Sequence, residues 1–235
     1  MLKATITNLL LCCTFNLAYA EDYPYYQNTY QVTITNITPG QTFTPQLLFT
    51  HTQPNPLFTL GEAANSELEM MAEGGDTGPL ALAVGDSAID MQSNEVLLAA
   101  GETTSTMIHG NPGRGLLTVV AMLIPTNDTF IALNGMRLPR HGSVSYMVPA
   151  YDAGTEYNDQ NCLNIPGPVC GGEGYSAQAS DLDEGFVHIG NGFHDLGDND
   201  GEGNEVLKPQ FYDWDNAVAK ITITKVNQRA TFGDH

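Results

Sequence analysis

The chain has 235 residues, with 27 Asp and Glu against 8 Lys and Arg, and a formal net charge of −19 at pH 7. So acidic a chain repels phosphate backbones and anionic lipid headgroups, which argues against nucleic acid and membrane surfaces as partners. The length suits one large all-β domain or two small ones.

Met1–Ala20 reads as a secretory signal. Lys3 gives it a positive start, Ile6 to Leu17 is mostly apolar, and Ala18-Tyr19-Ala20 has the small-x-small form of a cleavage site. The apolar run is too short, and too broken by Thr14 and Asn16, to span a bilayer. Export is therefore expected, to the periplasm or out of the cell, with no membrane insertion. Residues 21–29 then form a linker, 30–226 the domain and 227–235 a loose tail.

Tyr30–Ile37 alternates and is rich in Val, Ile and Thr, as a half-buried strand does, and Pro39-Gly40 ends it. Gln46–Thr50 is a second strand. Ser66–Glu73 is the one convincing helix: Ser66 and Glu69 have capping-box spacing, Leu68, Met71 and Ala72 share a face, and Gly74 is placed to end it. Further strands are expected at Glu95–Ala99, Thr103–Ile108, Leu116–Ile124, Thr129–Leu133, Ser143–Val148 and Ala217–Val226. LLTVVAMLI is nearly continuous apolar, as for burial on both faces, whereas AVAKITITKV alternates, as for one wet side. Strands separated by Gly, Pro and Asn turns, with one short helix, predict an all-β antiparallel sandwich.

Asn158–Asn216 is rich in Gly, Asp and Asn and too long for a plain connection. It contains Cys162 and Cys170, which remain once Cys12 and Cys13 leave with the signal. In an oxidising compartment, two cysteines closing CLNIPGPVC are expected to pair as a disulfide.

Two stretches place carboxylates just outside apolar runs: IPTNDTFIALN, with Asp128 before TFIAL, and YDAGTE, where Asp152 and Glu156 flank a loop that Gly154 lets bend. Three acids at one end of a β-structure repel each other unless a cation sits between them. Oxygen ligands of this kind suit Ca²⁺, which takes six to eight of them in irregular geometry.

In five places the residues resemble one family, the spondin N-terminal domain (the F-spondin or mindin type), in its bacterial secreted form. The segments are PGQTFTPQLLFTH at Pro39–His51, GEAANSELEMMAEGG at Gly61–Gly75, IPTNDTFIALNG at Ile124–Gly135, YDAGTE at Tyr151–Glu156 and DWDNAVAKITITKV at Asp213–Val226. The resemblance implies a C2-like sandwich with a divalent cation, Ca²⁺, among the loops at one end. Animal members open one segment with Asp in D-W-[FV]-V-G and carry two acids in D-A-G-T-D. Those positions fall on Asp128, Asp152 and Glu156, with Thr129 in place of the tryptophan and Glu in place of the last Asp. The features behind the integrin- and matrix-binding roles of animal spondins are not found in this sequence.

Other constellations carry less. In DLGDNDGEGNE, an EF-hand with Gly201 at its turn would need acids at Leu196 and Leu207, so that motif fails. A looser Ca²⁺ site from Asp198, Asp200 and Glu202 is the alternative to a solvated acidic loop. His188 and His194 have no third ligand nearby, whereas catalytic zinc needs three, so they read as structural histidines. The G-x-S-x-G elbow of hydrolases is absent. The expectation is a secreted, non-catalytic Ca²⁺-binding module for adhesion or matrix-type binding, its partner an extracellular protein or glycan. Two alternatives stand beside it: a secreted carbohydrate-active or hydrolytic enzyme using the same acids, and self-association through an unprotected edge strand.

Overall fold

The computed structural model describes residues 27–54, 56–177, 179–190, 192–193 and 204–226. The expected leader at 1–20, the tail at 227–235, His194, and Asp198, Asp200 and Glu202 lie outside the described residues.

Two antiparallel sheets face each other. The first is built from β1 (Asn28–Asn36), β5 (Thr103–Gly110), β8 (Ser143–Val148) and β11 (Ala219–Lys225), in the order β5-β1-β11-β8. Its strands alternate. Tyr30, Val32 and Ile34 of β1 and Ile221 and Ile223 of β11 are buried. On the wet side Thr33 bonds Ser105 at 2.8 Å and Thr222 bonds Ser145 at 2.8 Å.

The second sheet contains β2 (Thr42–Phe43), β3 (Gln46–His51), β4 (Asp90–Asn94), β6 (Leu116–Ile124), β7 (Thr129–Arg137), β9 (Ala150–Asp152) and β10 (His188–Ile189). Its order is β10-β9-β7-β6-β3-β4, with β2 paired to β6. β6 is buried on both faces, as its nearly continuous apolar run predicts. Leu117, Val119, Ala121 and Leu123 join Ile131 and Leu133 of β7 in the core between the sheets. Val120, Phe130 and Ala132 face the other way, onto Leu68, Met71 and Ala72 of α1 (Ser66–Gly74) and Leu80 of α2 (Gly78–Val84). The second sheet is thus covered by the first sheet on one side and by a thin helical layer on the other.

Three local expectations need correcting. The cap of α1 is Asn65, whose side chain accepts from the Leu68 amide at 2.9 Å, so Ser66 lies inside the first turn. Gly75 rather than Gly74 ends the helix, in the left-handed region at φ 69°. Instead of a strand at Glu95–Ala99, the polar segment Asp90–Asn94 pairs with β3, while Val96 and Leu97 are exposed and Leu98 makes only an isolated bridge to Phe43. α2 and a four-residue α3 (Pro209–Tyr212) were not anticipated: short segments without a capping box or a clear apolar stripe carry little periodic signal. No helix among the described residues is long and apolar enough to cross a membrane.

Cys162 and Cys170 form the expected disulfide, their Cα atoms 4.6 Å apart. It anchors the start of the long excursion: Cys162 and Ile165 are buried in the main core. Replacing both cysteines with serine is expected to lower the unfolding free energy by roughly 2–3 kcal/mol. A urea titration checks this, as a lower midpoint.

Candidate metal centre

The carboxylates gather at the β10 edge of the second sheet, and strand register explains how. Thr129 at the head of β7 is paired with Asp152 on β9, and Asp152 with His188 on β10. Directly opposed residues point to the same face. Asp152 and His188 are therefore neighbours by construction, and Asp128 stands one residue before the pair. The Ala153 amide donates to the Asp128 carbonyl at 3.2 Å, closing the corner. Gly154 is required here. It sits at φ 66°, and a Cβ would collide with the Phe186 carbonyl, so only glycine lets the 153–155 turn lie against the chain leading into β10.

Asp128 is fully buried and Asp152 nearly so. Oδ2 of Asp128 accepts from the Thr155 amide at 2.8 Å and the Glu156 amide at 3.1 Å, whereas Oδ1 is buried with no partner. Oδ1 of Asp152 accepts from the Gly154 amide at 2.8 Å and lies 3.4 Å from Nε2 of His188. The Asn158 side-chain amide donates both to Oδ2 of Asp152, at 2.8 Å, and to Oε1 of Glu184, at 3.1 Å. Oε2 of Glu184 is buried and unpartnered. One ligand atom each from Asp152, Glu184 and His188 lie within 4.8 Å of one another, a grouping that could hold a metal ion.

Burial, then the neighbouring Asp152 carboxylate, pushes the Asp128 carboxyl well above the usual range, against the pull of the Thr155 and Glu156 amides. Burial also raises Asp152, opposed by the Asn158 hydrogen bond and by His188.

Of the three acids expected to share an ion, Asp128 and Asp152 come together. Glu156 contributes its amide to Asp128, but its carboxyl feels Glu73 first and then Asp159. It belongs to a second, adjoining group. Glu73, in the last turn of α1, is fully buried; its Oε2 accepts from the Ser176 amide at 2.9 Å and its Oε1 has no partner. Burial is the main reason that Glu73 is pushed up to about 7 and Glu156 to about 8. Sequence reasoning missed Glu184, which sits in an ordinary-looking acidic loop, and gave His188 a structural role. Neither is close in sequence to Asp128 or Asp152: strand pairing delivers His188, while the Asn158 side chain and the Gly185 amide on the Gly154 carbonyl hold the loop that carries Glu184.

No protein-family model matches the chain, and no curated protein matches it. Its function has to be argued from the site itself.

Glu73 and Glu156 keep their protons in the fold to about 7 and about 8, against an ordinary value of 4.5. Between those values the folded state binds more protons than the unfolded one. Their contribution to stability is fully present below about pH 4.5 and is lost as the pH rises through 7 to 8. In EDTA the melting temperature is expected to fall between about pH 5 and about pH 8.5, and Glu73→Gln to flatten that fall. Scanning calorimetry across the range checks both.

Proposed function

We propose that the protein is an exported, non-catalytic module in which a divalent cation, Ca²⁺, binds at Asp128, Asp152 and Glu184 and organises the loop ends for adhesion or matrix-type binding. The observation that carries this reading is the pair of buried, unpartnered oxygens, Oδ1 of Asp128 and Oε2 of Glu184, at a cluster of like charges. Leaving such atoms unsatisfied is costly, and a hard cation satisfies them while cancelling the repulsion. Three carboxylates suit Ca²⁺. The spondin resemblance supports the same place and the same ion, although it assigns Glu156 the role that Glu184 is better placed to fill. Asp128 and Glu73 are fully buried, which leaves a substrate no direct route to either carboxyl and supports a binding rather than a catalytic role.

One observation favours a second reading. Nε2 of His188 is buried, makes no hydrogen bond and lies beside Asp152. Mixed imidazole and carboxylate donors suit Zn²⁺ or Mn²⁺ better than Ca²⁺. The ions are separable by thermal melts of the EDTA-stripped protein. Ca²⁺ at about 100 times its Kd should raise the melting temperature by about 5–10 °C, a shift lost in the Asp128→Asn, Asp152→Asn double variant. His188→Gln should leave a Ca²⁺ shift largely intact but abolish one produced by Zn²⁺. Identical melting in EDTA and in every ion would sink the metal reading altogether.

A further inference from the structure

The opposite end of the second sheet has the opposite character. β7 runs nine residues from Thr129, beside the carboxylates, to Arg137. At about 3.4 Å per residue this separates the two ends by about 27 Å. Around Arg137 lie two turns, 111–115 and 138–142, tied by the Leu138 amide donating to the Gly115 carbonyl at 3.0 Å. They bring Arg114 and Arg140 to the same end, and Lys225 joins them by donating to the Arg140 carbonyl at 3.3 Å. Half of the chain's 8 basic residues therefore collect in one place.

A cleft of about 910 Å³ opens between these turns, β8 and the loop that follows β3. That is within the size range of small-molecule sites. Among the described residues no Asp or Glu lines it, in a chain with 27 of them. The register-adjacent acid, Asp90 opposite Thr50, is already occupied: it accepts from the His109 amide at 2.7 Å and from its imidazole at 3.0 Å. The wall is pinned in advance, because the Asn134 side chain accepts from the Leu57 amide at 2.7 Å and donates to the Phe58 carbonyl at 3.0 Å. His51 is also spent, one ring nitrogen on the Gln53 carbonyl at 2.7 Å and the other on Thr118 at 3.1 Å.

What remains for a ligand is specific. Arg114 and Arg137 are exposed at the cleft and, among the described residues, their side chains make no hydrogen bond or ion pair. The rest of the lining sets an aromatic and aliphatic surface, Tyr146, Met136, Pro54 and Pro56, beside the polar Thr52 and Gln53. Guanidinium forks read planar anions bidentately, and an aromatic and aliphatic lining packs against the C–H face of a sugar ring.

We infer that this cleft binds an acidic sugar, a pyranose carrying a carboxylate, as a unit of an extracellular polysaccharide. The inference rests on the proposed function only in taking the protein to be a binding protein, and it supplies that reading with a class of partner. The site itself does not depend on the ion. A neutral glycan would leave both guanidiniums unanswered, and an acidic peptide would make little use of the ring-sized apolar lining.

The test is calorimetric titration of the whole chain with trigalacturonate, a neutral galactose trimer and hexaglutamate, in EDTA and in Ca²⁺. Trigalacturonate should bind, more weakly as salt rises, with little or no binding of the other two. Arg114→Gln and Arg137→Gln should each weaken it about tenfold or more, and Tyr146→Ala several-fold. Both arginines are exposed, so melting should stay at the wild-type temperature in the Arg variants. Removing divalent ions with EDTA should leave the affinity unchanged. That separates failure of the cleft from failure of the metal centre. Hexaglutamate or the neutral trimer binding as tightly, no binding of trigalacturonate, or affinity indifferent to both arginine substitutions would each overturn the inference.

Discussion

Like charges packed out of water at one edge of a sheet set the terms for the rest of this structure. Asp128 and Asp152 are held together by the pairing of β7 with β9, and the fold has arranged much to make that tolerable. Two backbone amides turn toward Asp128, the amide of Asn158 is shared between Asp152 and Glu184, and His188 is placed opposite Asp152. The 153–155 turn exists in its tight form because Gly154 can enter the left-handed region against Phe186. Even so, oxygens on Asp128, Glu156 and Glu184 stay unsatisfied. Hydrogen bonds alone do not balance the charge, and the Asp152, Glu184 and His188 group that results is one that could hold a metal ion.

The same constraint separates the molecule into two ends. β6 and β7, packed on both sides, form a stiff pair of strands with carboxylates at one tip and guanidiniums at the other. Each tip is made of turns, while the strands between carry the core. Arg137 is exposed, whereas Phe130 is buried and substituting it would disturb the aromatic packing with Phe58 and Tyr151 behind the carboxylate cluster.

Much of the sandwich was legible in the sequence because its strands obey simple periodicities. The alternation of Ala219–Lys225 and the nearly continuous apolar run of Leu116–Ile124 translate directly into one wet face and two dry ones. The disulfide followed from spacing and compartment. β4 was hidden because its residues are polar and its strand state comes from pairing with β3, while the apolar EVLLA beside it leaves Val96 and Leu97 exposed. Asp128 and Asp152 could be singled out since each adjoins an apolar run. Glu184 and the role of His188 beside Asp152 could not, because nothing local marks residues that a loop contact or a two-residue strand brings to a site. The side chain of Glu156 takes its direction from the turn, whose amides face Asp128, and sequence spacing does not encode that direction.

The brevity of β10 has a consequence in time as well as space. Its ladder with β9 is only two residue pairs at the outer edge of the sheet, extended by the Gly190 amide on the Ala150 carbonyl and anchored by buried Val187, while three strands further in β6 is covered on both faces. Segments with few buried contacts open at far lower free energy than the whole domain. The amides of the edge strand at His188 are therefore expected to trade hydrogen for deuterium before those of β6, through local opening of the sheet edge rather than through unfolding of the domain.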